Sequence, residues 1–186
     1  MNQNERYQII KLLCTSESEN IKLAQMLCNS QGWDLTEILK EFGYYQIKLK
    51  RADDFRHHIL DCSKLGLNKL PDLLPANLES LFCFGNQLTT LPNLPAKLQF
   101  LSCGNNKLTI LPSLPAALEW LGCQNNQLTI LPSLPAALEW LDCQNNQLTI
   151  LPSLPAALRW LDCQNNPISN IAETKARAPK NCQIYA

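Results

Sequence analysis

Twenty residues are written twice in succession, and little else in the chain constrains the fold as strongly. Leu118 to Ala137 (LEWLGCQNNQLTILPSLPAA) returns as Leu138 to Ala157 with a single change, Gly122 becoming Asp142. The unit starts again at Leu158 and is visible in weaker form before Leu118. A period of this length marks a chain of small structural units, each of which buries its apolar face only against its neighbours.

Within each unit the pattern is L-x-x-L-x-C-x-x-N-x-L, filled by Leu118, Leu121, Cys123, Asn126 and Leu128. Leu121 and Cys123 alternate with other residues as a short strand with one buried face requires. Asn126 follows where the strand turns, and its amide is suited to bonding open backbone groups of a neighbouring turn. Leu128, Leu131 and Leu134 are expected to point inward from a return segment. Pro132 and Pro135 forbid a regular helix there and favour extended or polyproline II backbone.

This motif resembles the leucine-rich repeat, with Cys in a slot usually held by Leu or Val. Residues 57–171 are similar to the short bacterial form with LPxLP returns, best known in type III secreted effectors of the YopM and IpaH group. The resemblance implies an α/β solenoid with a parallel concave β-sheet, extended returns on the convex side and an N-terminal α-helical cap. It also implies a protein partner on the concave sheet. In the ligase branch of that group a catalytic domain follows the repeats; here only residues 172–186 follow, so no ligase activity is expected. The Cys-bearing unit also resembles leucine-rich proteins of environmental bacteria and large viruses.

Six repeats are expected over 57–171, starting near Ile59, Leu78, Leu98, Leu118, Leu138 and Leu158. The first is irregular, with Leu65 in the Asn slot and one extra residue in its PDLLP return. End repeats are irregular because one side faces something other than a repeat. Residues 1–56 show helical spacing at Asn4–Leu13 and Glu19–Leu27, and a capping-box pattern opens a third helix at Asp34 that Gly43 ends. These helices are expected to cover the first repeat. Residues 172–186 are expected to cover the other end, with a short helix within Ile168–Ala178 and a final strand at Cys182–Tyr185.

The formal net charge is zero, which gives no global pull towards nucleic acid or anionic membrane. Prolines and polar residues interrupt every apolar run before it reaches membrane-spanning length. The N-terminus, MNQNERYQII, lacks the basic start and apolar stretch of a signal peptide. Of nine cysteines, Cys83, Cys103, Cys123, Cys143 and Cys163 recur once per repeat, and Cys62 begins the series one residue out of step. Residues in register on parallel strands lie about 4.8 Å apart, but their side chains run side by side and do not converge as a disulfide or a tetrahedral metal site needs. They are expected to be free thiols acting as small apolar residues. A column of free thiols suits a reducing compartment, the cytoplasm, or a host cytoplasm for an exported effector.

The residues between the inward ones form the concave surface. One column reads Ile59, Ser80, Phe100, Trp120, Trp140, Trp160, and the next ends Gly122, Asp142, Asp162; a third ends Gln124, Gln144, Gln164. Tryptophan beside hydrogen-bonding groups is the composition of interface hot spots. The candidate partner-binding residues are therefore Phe100, Trp120, Trp140, Trp160, Asp142, Asp162, Gln124, Gln144 and Gln164. In-register aromatics also stack on one another and stabilise a parallel sheet with no ligand, so a purely structural ladder stands beside the binding surface. A homodimer through the aromatic face is a third way to cover it. The asparagine column, Asn86 to Asn166, is expected to be structural.

No catalytic constellation, metal-ligand spacing or cofactor motif is present. His57 and His58 are the only histidines, and neighbours on a strand face opposite ways. Cys14, Cys28 and Cys182 lie outside the column, and none has a nearby histidine in sequence. The expected function is non-enzymatic protein binding on the concave face, effector-like in type. The alternatives are a structural or engineered repeat scaffold without a dedicated ligand, and a role carried by the N-terminal helices.

Overall fold

The computed structural model describes residues 59–61, 63–64, 67–70, 74 and 76–186. The helices expected within 1–56, together with His57, His58, Cys62 and Leu65, lie outside the described residues.

Six three-residue strands recur with the sequence period: β1 (Ile59–Asp61), β2 (Ser80–Phe82), β3 (Phe100–Ser102), β4 (Trp120–Gly122), β5 (Trp140–Asp142) and β6 (Trp160–Asp162). A short helix α1 (Ile171–Arg177) and a last strand β7 (Gln183–Tyr185) follow. The seven strands form one parallel sheet in chain order, so every turn of the chain advances the solenoid by one strand. Register follows directly from the period: Trp120 pairs with Trp140 and Trp140 with Trp160, each twenty residues on. Between β1 and β2 the offset is twenty-one, Ile59 to Ser80, which matches the one extra residue in the intervening sequence.

The core is a set of columns. Leu81, Leu101, Leu121, Leu141 and Leu161 fill the strand centre with no exposed surface, and the five cysteines from Cys83 to Cys163 stand beside them. Leu88, Leu108, Leu128 and Leu148 close the core from the return, helped by Leu111, Leu131 and Leu151. Each fully buried leucine contributes roughly 1.5–3 kcal/mol over its exposed state, and none could be buried by its own unit.

The asparagine column ties the units together. Asn126 Oδ1 accepts the Leu108 N–H at 2.9 Å, and Asn126 Nδ2 donates to the carbonyls of Cys123 (3.0 Å) and Cys103 (3.1 Å). Asn106 and Asn146 repeat the arrangement one unit away. The carbonyls of Cys83, Cys103, Cys123 and Cys143 thus each accept two asparagine amides, one from the same unit and one from the next. The preceding asparagine serves the backbone instead, since Asn105, Asn125, Asn145 and Asn165 all have φ between 53° and 56°. Asparagine tolerates this left-handed conformation better than most residues, and Gly85 takes the same slot after β2 with φ 69°.

At the C-terminal end Asn170 continues the device. Its side chain accepts the Leu151 N–H and donates to the Leu151 carbonyl, at 3.1 and 3.2 Å, so it is spent before it can cap α1. Glu173 in the first turn of α1, and Lys175 and Arg177 in the last, suit the helix dipole. Ile168, Ile171, Cys182 and Ile184 pack half-buried against the core.

Candidate functional site

Phe100, Trp120, Trp140, Trp160, Asp142 and Asp162 lie on strands of the parallel sheet, and Gln124, Gln144 and Gln164 follow two residues past β4, β5 and β6, but the nine do not form one uniform ladder. Trp140 and Trp160 stack face to face, with ring centroids 3.9 Å apart and planes 9° from parallel. Tyr185 tilts against the far side of Trp160 at 5.8 Å. Among the described residues the ring contacts end there. The expectation of an in-register aromatic stack from Phe100 onwards holds only for its last members.

The cause is the single difference between the two copies. A Cβ placed on Gly122 would sit 2.6 Å from Trp120 Cη2 and 2.9 Å from Cζ3, so the indole of Trp120 lies down over its own strand in the space a side chain would take. Trp140 and Trp160 have Asp142 and Asp162 in that position and must stand up. Standing on strands about 4.8 Å apart, they lean together into contact at 3.9 Å. Phe100, half-buried on β3, is in register with Trp120.

The glutamines divide in the same way. Gln124 lies across Gly104, where a Cβ would meet its amide at 2.6 Å. Its Oε1 is shielded from solvent and has no donor among the described residues. Gln144 instead donates Nε2 to Asp142 Oδ2 at 3.4 Å and accepts from Asn145 Nδ2 at 3.2 Å. Gln164 is exposed, and its backbone N–H donates to Asp162 Oδ1 at 3.1 Å.

Asp142 and Asp162 are register partners on adjacent strands. Burial raises the Asp142 carboxyl above the ordinary aspartate value, opposed by its two bonds from Gln144 and reinforced by the Asp162 charge. Neither carboxylate has an ion-pair partner among the described residues, whereas Arg159 pairs with Glu139 at 3.2 Å and Arg177 with Glu173 at 2.9 Å. Towards the other end Lys64 Nζ lies 5.1 Å over the Phe84 ring.

The cysteine column is chemically quiet. Burial pushes the Cys103 thiol up to about 12 and Cys163 to about 11, and Cys123 and Cys143 also stand well above the usual thiol range. Thiolate is the reactive form, so these groups behave as apolar filling. Cys182, half-buried and free, is also raised by burial. Among the described residues no group of three His, Cys, Asp or Glu is arranged to hold a metal ion, and no helix is long and apolar enough to cross a membrane.

Three features lay beyond the reach of the repeat pattern. Tyr185 joins the aromatic face through β7, which the pairing of Asp162 with Tyr185 carries into the same sheet. Gly122 decides where the stack ends. Ile110, Ile130 and Ile150 form a second, more exposed apolar row on the return segments, at 55%, 60% and 56% exposure; the T-I-L-P run was its signal, with Ile beside the inward Leu.

A family model described as Leucine Rich Repeat matches residues 137–156. Among solved structures, the leucine-rich repeat domain of a Shigella effector is 31% identical with a TM-score of 0.55, over 68% of this chain and 80% of that one. YopM from Yersinia enterocolitica is 36% identical with the same TM-score, over 60% of this chain; the present chain spans only 29% of that YopM chain. No curated protein sequence matches. With the period, the sheet and the asparagine column in agreement with these likenesses, the chain belongs to the leucine-rich repeat family, in its short bacterial effector-type form.

Proposed function

We propose that the chain is a non-enzymatic protein-binding module that receives its partner on the concave sheet, centred on Trp140 and Trp160. The observation that carries this reading is the Trp140–Trp160 stack, with Trp140 37% exposed and the unpaired carboxylates of Asp142 and Asp162 beside it. A rigid aromatic platform flanked by polar groups is how hot spots are built, because the rings lose little freedom on binding. The two effector repeat domains above support an effector-like role for this chain. Five buried free thiols support a reducing compartment, the cytoplasm of the producing cell or of a host.

A photo-cross-linking residue placed at Gln144, on the concave face, tests this against the same residue at Ser133 on a return. A partner captured from Gln144, absent from Ser133 and lost on Trp140→Ser supports the module, once circular dichroism and sizing show the variant folded. Equal capture from both positions refutes it. The close, nearly parallel stack favours a second reading, an aromatic ladder whose work is internal stability. Under that reading Trp140→Ser lowers the unfolding midpoint and leaves the capture pattern untouched. A cross-link from Gln144 to a second copy of the chain makes the partner a homodimer through this face.

A further inference from the structure

The two copies of the repeat differ at one residue, and that residue opens a slot. Because Trp120 lies over Gly122, the face of Trp140 that looks towards β4 has no aromatic partner, while its other face is covered by Trp160. Asp142 stands two residues along the same strand and face, about 6.6 Å from Trp140 between Cα atoms at ordinary strand rise. On the β4 side the slot is bordered by the Trp120 ring and by Gln124, whose Oε1 lies 3.2 Å from the Gly122 Cβ position.

We infer that this slot takes an arginine side chain of the partner, its guanidinium stacked on the open face of Trp140 and its edge turned to Asp142. The walls ask for a flat group, since it must lie against an indole. The end wall asks for a cation, since Asp142 and Asp162 stand side by side with no positive charge paired to either among the described residues. Guanidinium is planar, always charged, weakly hydrated and donor-only, whereas ammonium is a compact, strongly hydrated charge that cannot stack. Burial and the neighbouring Asp162 both raise the energy of the Asp142 carboxylate, which a cation would relieve.

The inference rests on the concave face being the binding surface proposed above, yet the two fail separately: a cross-linked partner that presents no arginine keeps the first and removes the second. The probe is the peptide acetyl-Gly-Arg-Gly-Arg-Gly-amide, with lysine and citrulline versions as controls, followed by the Trp140 indole N–H resonance of the full chain. A saturable shift is expected for the arginine peptide, with the dissociation constant at least fivefold weaker for the other two. Asp142→Asn should weaken the arginine peptide towards the citrulline value. Gly122→Asp is the decisive variant, because Asp already occupies the register positions 142 and 162, so the fold accommodates it. It adds a negative charge, so general electrostatic attraction would tighten binding. If the slot is the site, it lifts Trp120 onto Trp140 and weakens binding at least fivefold. Tighter binding in Gly122→Asp, equal shifts from lysine and arginine, or no saturable shift with arginine would each overturn the inference.

Discussion

Replacing Asn126 by Ala removes one rung of the asparagine column at its centre. The Leu108 N–H loses its acceptor in a place where Asn126 is 9% exposed and Leu108 not at all, so water does not take over. The carbonyls of Cys103 and Cys123 each lose one donor and keep one, from Asn106 and Asn146. An orphaned buried donor costs about 1–3 kcal/mol and each lost bond to a still-paired carbonyl about 1 kcal/mol, so the substitution should cost about 3–5 kcal/mol. Asn126→Asp should cost more, because the donor becomes a second oxygen facing two carbonyls. Asn166→Ala should cost about 1–2 kcal/mol, because Asn166 makes the corresponding bonds at the partly exposed end of the column, where water can replace them. The assay is urea unfolding followed by far-ultraviolet circular dichroism, comparing midpoints at unchanged slope. An Asn126→Ala cost below about 1 kcal/mol, or one equal to that of Asn166→Ala, would refute the assignment of inter-unit cohesion to these amides.

Other measurements reach the remaining parts of the solenoid. Iodoacetamide at pH 8 with peptide mapping should leave Cys83, Cys103, Cys123 and Cys143 unlabelled in the folded chain and label them in urea, since burial hides all four thiols and keeps those of Cys103, Cys123 and Cys143 protonated. Because Asp142 holds its proton more tightly folded than unfolded, its share of stability is present below the ordinary value of 3.8 and lost as pH rises through the raised folded value. Asp142→Asn should therefore match the native chain near pH 3 and be more stable at pH 7, by less than about 1 kcal/mol given solvent screening; a native chain that is the more stable at pH 7 would contradict the sign. Asn125→Ala should cost about 1 kcal/mol and Asn125→Gly close to nothing, as the left-handed backbone there dictates; thermal unfolding reads both.

The period alone carried most of the architecture. Twenty residues between Trp120 and Trp140 set strand register, and the extra residue before β2 showed where register would slip. The inward leucines and cysteines were legible because strand alternation leaves them only one direction. The second asparagine of each pair was legible as a backbone ligand; the first was not, although Gly85 in the same slot signalled a left-handed turn. The candidate site was legible as a surface and not as an arrangement. Trp120 and Trp140 occupy identical positions in sequence, and only the contact of a ring with an absent Cβ separates one lying down from one standing. Gly122 was visible as the one difference between the copies, but its consequence depends on ring orientation, which periodicity does not encode.

Because adjacent units meet through the same contacts at each step of the asparagine column, the natural unit of variation here is a whole turn as much as a residue. Excising residues 138–157 would bring the Trp120 unit directly against the Trp160 unit with all rung-to-rung bonds rebuilt between new neighbours. The glycine rung would then abut an aspartate rung once more. Recombination between near-identical copies can thus lengthen or shorten the aromatic stack behind Gly122 while leaving the glycine rung itself unchanged. The length of the aromatic stack and the residue at which it ends are separately inheritable in such a molecule.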